Sequence, residues 1–191
     1  MDLISPRLCV VCGNRLAVTE ETLCSKCYLH LPRTDFANDL YENVMAKLFW
    51  GQIKLEKATA LFYYEPHAET AQILYELKYK NHPEIGVVMG RMMAKELMKS
   101  GLFEDIDALV PVPLAKKRER ERGYNQSLEL AKGVSEVTGL PIANLVIRRT
   151  KFVGSQTKRG RWERNENVAH VFELVDENIS GQHLLLIDDA V

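Results

Sequence analysis

His183-Leu-Leu-Leu-Ile-Asp-Asp-Ala-Val191 is an apolar run that ends in two adjacent carboxylates. Four consecutive large apolar residues read as a buried strand. Alternate residues of a strand point to opposite faces, so Asp188 and Asp189 are expected on opposite sides of a sheet end. In open α/β sheets ligands sit in the crevice beyond the carboxyl ends of the strands. Two carboxylates at that place suit the hydroxyls of a ribose, or a hydrated Mg²⁺, which takes few carboxylates and many waters. The plainer reading is a strand that ends in a solvated acidic turn, and this stretch alone does not choose between them.

Upstream lie four more candidate strands, near 58–64, 106–112, 143–148 and 168–175, the last strand being 183–188. Between 106–112 and 143–148 runs a basic stretch, Lys116-Lys-Arg-Glu-Arg-Glu-Arg122, and then a helix capped at Asn125 and closed by Gly139. Strand, basic loop and helix make half of a βαβ unit. Pro111 and Pro113 force the chain out of the sheet just before the basic stretch. A cluster of cations after a strand end favours an anion, and K/E/R alternation also allows a solvated charged helix start. Helices are expected over Asp39–Trp50, Ala68–Tyr79 and from Pro83 to about Lys99, each from apolar spacing. Lys78, on the second of these, reads either as a solvated helix lysine or as a phosphate contact. Arg149 to Asn167 is polar, carries Gly154 and Gly160, and lacks a clean period, which marks a functional or disordered segment.

The N-terminal stretch is of another kind. Cys9-Val-Val-Cys12 and Cys24-Ser-Lys-Cys27 are two C-x-x-C knuckles 11 residues apart, and they hold all four cysteines. Four thiolates make a closed tetrahedral Zn²⁺ site, which is structural because no coordination position stays open. The alternatives are two disulfides or free core thiols. Residues 1–36 are therefore expected to be a four-cysteine zinc-binding module and 37–191 the main α/β domain.

The chain has 191 residues, 46% hydrophobic and 27% charged, with a formal net charge of −1. Bulk charge names no partner, but its distribution does. Pro111 to Asn165 carries 13 Lys/Arg against 5 Asp/Glu, a net of +8, which leaves −9 for the remainder. One basic working face for an anionic ligand follows. That face, with Tyr124, Phe152 and Trp162 nearby, would also suit a single nucleic-acid strand. No apolar run is long enough to span a bilayer and no signal-peptide core opens the chain, so a cytoplasmic protein is expected. No cysteine is left over for a Cys/His site, and no G-x-S-x-G elbow occurs.

Leu184-Leu-Leu-Ile-Asp-Asp-Ala-Val191 resembles the first half of the signature by which type I phosphoribosyltransferases bind 5-phosphoribosyl-1-pyrophosphate (PRPP). Val110-Pro-Val-Pro-Leu114, Arg122-Gly-Tyr-Asn-Gln126 and the segment Arg149 to Asn167 resemble the ComF competence-protein family, in which a phosphoribosyltransferase-like domain follows a four-cysteine zinc module. The parts stand in the family's order over nearly the whole chain. The resemblance implies an α/β domain with a mostly parallel central sheet of the type I phosphoribosyltransferase kind. It implies a zinc site at Cys9, Cys12, Cys24 and Cys27 and a PRPP site, with Asp188 and Asp189 holding the ribose diol and Mg²⁺. Val112, Pro113, Leu114, Ala115, Lys116, Lys117 and Arg118 would form the pyrophosphate loop, joined by Arg122. A mobile hood would supply Gln156 and Arg164, with Lys158 and Arg161 closest to the chemistry. Leu77-Lys78-Tyr79 resembles a family motif near the cleft. The implied activity is phosphoribosyl transfer, on PRPP or another phosphorylated small molecule. The implied role is natural competence and DNA uptake, with single-stranded DNA or helicase-type competence proteins as partners. A non-catalytic nucleic-acid or protein-binding adaptor on the same fold, and a purine-salvage enzyme, are the other readings. In the family the signature runs on into a Thr/Gly-rich phosphate loop. The sequence stops before it, so the domain is expected to be truncated and a protein ending at Val191 to bind PRPP poorly.

Overall fold

Asn43, Pro83 and Asn125 start helices, and Gly101 and Gly139 stop them. The structure, a computed structural model, describes residues 6–150 and 171–191. Its helices are α1 (Ser25–His30), α2 (Val44–Lys47), α3 (Glu69–Tyr79), α4 (Pro83–Leu97), α5 (Lys116–Arg122) and α6 (Gln126–Thr138). Its strands are β1 (Ala108–Pro111), β2 (Ile147–Arg149), β3 (Phe172–Leu174) and β4 (Leu184–Ile187). The side chains of Asn43 and Asn125 accept from the backbone N–H groups of Ala46 and Ser127, caps that satisfy otherwise orphaned donors. Pro83 takes the first position of α4, where no N–H is needed. Gly101 (φ 77°) and Gly139 (φ 74°) adopt the left-handed conformation that ends a helix.

β1 is buried along its whole length. It runs parallel to β4, with Ala108 beside Leu184 and Pro111 beside Ile187. On its other side Leu109 forms a parallel bridge with Ile142. β2 and β3 form a separate antiparallel pair. The molecule is thus mixed α/β with a small parallel sheet, and the expected five-stranded, mostly parallel sheet is not what the described residues form.

Two expected strands are corrected. Residues 58–64 make one antiparallel bridge, Phe62 to Arg33, and the Tyr63 N–H donates to the Pro32 carbonyl at 2.9 Å. Pro32 has no N–H to return, so the ladder cannot lengthen on the Tyr63 side. Over 143–148 the chain turns at Asn144 and Leu145, and only Ile147 and Arg148 enter a strand, the antiparallel one. The helix expected over Asp39–Trp50 shrinks to α2. Asp39 Oδ1 accepts from the Tyr41 and Glu42 N–H groups, both at 3.0 Å, a local turn that competes with helix. The stretch Leu114–Arg122, expected as a loop, is helical from Lys116 onward.

α4 packs on α6 more extensively than any other pair of described elements, and glycine allows it. A Cβ on Gly90 would sit 2.1 Å from the Leu130 carbonyl oxygen, and one on Gly133 would sit 2.0 Å from that of Val87. Around this contact Ala94, Leu109, Leu130, Ala131, Val134 and Ile187 form one buried cluster. A second cluster joins the cysteine stretch to the main body: Cys9, Leu16, Leu23, Cys27 and Leu31 pack with Ile73 and Leu77 of α3 and Ile85 of α4. Glu96 fastens the same junction. It accepts from Arg33 Nε and Nη2, both at 3.0 Å, and from the Tyr28 hydroxyl at 2.8 Å.

Gly→Ala in a helix interior normally stabilises by up to about 1 kcal/mol. Gly133→Ala should instead destabilise by about 3 kcal/mol, because the clashing atoms are backbone of the facing helix and cannot move aside. Chemical denaturation of the purified variant measures it.

Candidate functional site

The end of β4 is built from three directions. Val112, just past β1, donates its N–H to the Ile187 carbonyl at 2.9 Å, which brings the Val112–Ala115 turn beside the two carboxylates. Asn125 caps α6 and also donates from Nδ2 to the Val112 carbonyl at 3.0 Å, so the turn and the helix start are tied. Ser127, buried in the first turn of α6, donates its hydroxyl to Asp188 Oδ1 at 2.9 Å. Asp189 reaches the other way, to Lys78 Nζ of α3 at 3.0 Å. The two carboxylates therefore engage different helices, Asp188 meeting α6 and Asp189 meeting α3.

Their environments differ. The Asp189 side chain is 12% exposed and its lysine 23%. Loss of water around the Asp188 carboxyl pushes it above the ordinary carboxylate range, against the opposing pull of the Asp189 N–H and the Ser127 hydroxyl. The whole Asp188 residue is nonetheless exposed. The effect biases the carboxyl toward its neutral form without forbidding its charge.

Beside Lys78 opens a cleft of about 500 Å³ lined by Lys78, Tyr79, Asn81, Arg118, Arg120 and Arg122, with Glu121 and Gly123. Arg122 lies over the Tyr79 ring, 5.4 Å from its centroid, and donates from Nη1 to Gln126 Oε1 at 2.7 Å. Gln126 is 1% exposed, and its Nε2 has no partner among the described residues. Gly123 (φ 83°) and Asn81 (φ 58°) provide the two left-handed turns of the rim. The Tyr124 hydroxyl donates to the Leu77 carbonyl, which fixes α3 directly before Lys78.

Of the residues singled out in the sequence, Val112, Asp188 and Asp189 meet at the strand end, Arg118 and Arg122 line the cleft, and Lys78 touches both. Pro113 and Leu114 are half-buried and Ala115 is buried, so they shape the turn. Lys116 and Lys117 are exposed on α5, and Lys117 faces Glu121 at 4.0 Å. Gln156, Lys158, Arg161 and Arg164 lie outside the described residues. Ser127 and Asn81 were not singled out; Gln126 stood only within the Arg122–Gln126 resemblance and Arg120 only within the basic stretch. Ser127 and Gln126 follow Asn125 directly, and a polar pair on the first turn of a buried helix was the available signal. Asn81 carried none beyond a turn residue after a helix.

The four cysteines are all free thiols, and their sulfur atoms lie within 4.8 Å of one another. Cys12 Sγ and Cys24 Sγ are 3.7 Å apart. Ligands at about 2.3 Å from a tetrahedral zinc stand about 3.8 Å apart, so the group could bind a zinc ion. The Cys24 N–H donates to Cys9 Sγ at 3.4 Å. Burial pushes the Cys9 thiol up, but backbone N–H groups of Cys12, Cys24 and Val11 outweigh it and bring it from 9.0 to about 7. Burial, then the neighbouring cysteines, push the Cys27 thiol well above its ordinary value.

DNA utilization protein YhgH of Escherichia coli K12 is 25% identical over 187 residues, 96% of this chain and 78% of that protein. Competence protein F of Haemophilus influenzae is 22% identical over 195 aligned positions, 96% of this chain and 84% of that protein. Over most of its length the chain is thus similar to proteins named for DNA utilization and for competence. Competence protein ComFC of Bacillus subtilis is 33% identical over a shorter stretch of 81 residues, 42% of this chain and 31% of that protein. No family model and no solved structure matches the chain. Among the described residues no helix is long and apolar enough to cross a membrane.

A carboxyl raised in the folded state costs stability once it ionises. Its contribution is fully present below the unfolded carboxylate range and is lost as pH rises through the folded value. Asp188→Asn should therefore raise the melting temperature slightly at neutral pH, and the gain should vanish on acidification below the ordinary carboxylate range. Melting curves across pH measure it.

Proposed function

We propose that the strand-end cleft is a PRPP-type site and that the protein serves DNA uptake or utilisation. The observation that carries this is the Lys78–Asp189 pair, which joins a cation-lined cleft to two strand-end carboxylates. A phosphorylated ribose needs that juxtaposition: acceptors for its hydroxyls on one side and cations for its phosphates on the other. Asp188 and Asp189 would accept from the ribose diol. Arg118, Arg120 and Arg122 would face the pyrophosphate. As the bond between C1 of the ribose and the pyrophosphate oxygen breaks, the electron pair leaves with the pyrophosphate, and fixed cations stabilise that growing charge. The ring gains oxocarbenium character and the acceptor closes on C1. No protein nucleophile is needed, since positioning supplies much of the acceleration. Gln156, Lys158, Arg161 and Arg164 would shield this centre from water. Two carboxylates beside a phosphate cleft fit a hydrated Mg²⁺, which would be held by Asp188 and Asp189 and would neutralise pyrophosphate charge. The domain division at residue 36 and a cytoplasmic location belong to this proposal.

Cys9, Cys12, Cys24 and Cys27 would hold a structural Zn²⁺ that supplies folding energy to a segment with little core of its own. Cys9 and Cys27 share a cluster with Ile73 and Leu77, so removing the metal should loosen α3 as well. After dialysis against a strong chelator we expect one equivalent of zinc lost, a lower melting temperature, and faster amide exchange in both α1 and α3. Unchanged exchange in α3 would show that the module folds independently.

A second reading is an adaptor for single-stranded nucleic acid. It is favoured by Tyr75 and Tyr79, exposed and 5.4 Å apart on α3, with Lys80 over one ring and Arg122 over the other. Calorimetric titration of PRPP into the purified natural protein separates the two. The first reading expects saturable binding that Mg²⁺ strengthens, with the Mg²⁺ effect lost in Asp189→Asn. Absence of PRPP binding, together with oligonucleotide binding that weakens steeply with salt and ignores Asp189→Asn, would leave the adaptor.

A further inference from the structure

We propose that Lys78 is a specificity-determining residue of the cleft, a latch on Asp189 that a bare anion must break and that a ligand bearing both an anionic group and a hydroxyl or metal ion releases without loss. This inference rests on the reading of the cleft as a site for a phosphorylated ligand.

Lys78 lines the cationic cleft with Arg118, Arg120 and Arg122, and it also lines a larger neighbouring cleft that reaches Ala190 and Val191. It stands where the two meet. The arginines are held differently. Arg122 donates to the neutral Gln126 amide and Arg120 Nε to the Lys116 carbonyl, so neither is tied to a carboxylate of the strand end by these bonds. Lys78 is tied to one, at 3.0 Å, with both side chains largely hidden from water. Its backbone is anchored, because Leu77 is 1% exposed and its carbonyl accepts from Tyr124. Only the flexible lysine stem is free to swing.

The consequence is a matter of pairing. An anion that draws Lys78 into the cleft leaves the Asp189 carboxylate short of a partner in a site with little water. Breaking one side of a shielded ion pair is costly because the other charge is stranded. A ligand that also offers Asp189 a hydroxyl or a cation refills the vacated partner. Phosphate or pyrophosphate alone is thus disfavoured, and a phosphorylated sugar is accepted. Ordinary long-range repulsion between Asp189 and an anion would add to the effect of Lys78, whereas a latch makes the two interdependent.

The test is a double-mutant cycle on pyrophosphate affinity in magnesium-free buffer, using Lys78→Met, Asp189→Asn and the double variant, with folding checked by circular dichroism. Asp189→Asn should tighten pyrophosphate about tenfold where Lys78 is present, and less than about twofold in the Lys78→Met background. Lys78→Arg should retain the interdependence. Equal tightening in both backgrounds, or none in either, overturns the latch. If the natural protein binds Mg²⁺ and PRPP together while the cycle is additive, the latch alone falls. If no form binds pyrophosphate or PRPP, the latch and the site reading fall together.

Discussion

The close approach of α4 and α6 at Gly86, Gly90 and Gly133 is the constraint on which the rest depends. With backbone against backbone at Gly90 and Gly133, and the Glu129 Cβ against Gly86, the two helices leave no room for any Cβ at these positions. That approach sets the height at which α6 crosses β1 and β4, and so where its first turn lies. Asn125 and Ser127 reach the strand ends because of it. A helix lifted by the width of a methyl group would carry Ser127 away from Asp188. Packing in the middle of the molecule thereby governs hydrogen bonding at its edge.

α4 carries the constraint to the other end of the chain. Its first turn contributes Ile85 to the cluster that holds Cys9 and Cys27, and its last turn contributes Glu96 to Arg33 and Tyr28. Arg91 joins Glu21 of the cysteine stretch to Glu136 of α6. The four-cysteine stretch is therefore not an appendage on a tether. It forms one wall of α3, and α3 carries the lysine that meets Asp189. A path of packed side chains links the cysteine cluster to the cleft, through Ile73 and Leu77.

The charge pattern of the strand end is consistent with a binding site and poorly explained by stability alone. One carboxylate is held by a hydroxyl and biased toward neutrality, and its neighbour is held by a lysine that also faces a cleft of arginines. Two local departures fall at the same place: Asn81, a non-glycine residue in the left-handed region at the rim, and a buried glutamine with one amide nitrogen unpaired among the described residues. Such departures concentrate where ligands are handled.

The sequence by itself determined what depends on near neighbours. The cysteine spacing announced the cluster, Asn125 and Gly139 announced α6, and Leu184–Ile187 with Asp188 and Asp189 announced a strand end with its carboxylates. Each follows from backbone geometry within a few residues. It misjudged residues 58–64, where an apolar and aromatic run promised a sheet strand and the chain makes one bridge, with Pro32 barring extension past Tyr63. It also took Lys116–Arg122 for a loop where helix forms. Only the tertiary structure decided which charges meet. Lys78 and Asp189 are more than a hundred residues apart in the chain; the resemblance put both near one cleft, but no period or spacing pairs them. Their contact exists because α3 is packed against α4, α4 against α6, and α6 against the sheet whose last strand ends at Ile187. Long-range pairing of this kind is set by how faces close on one another, and that is a property of the assembled core and not of any segment.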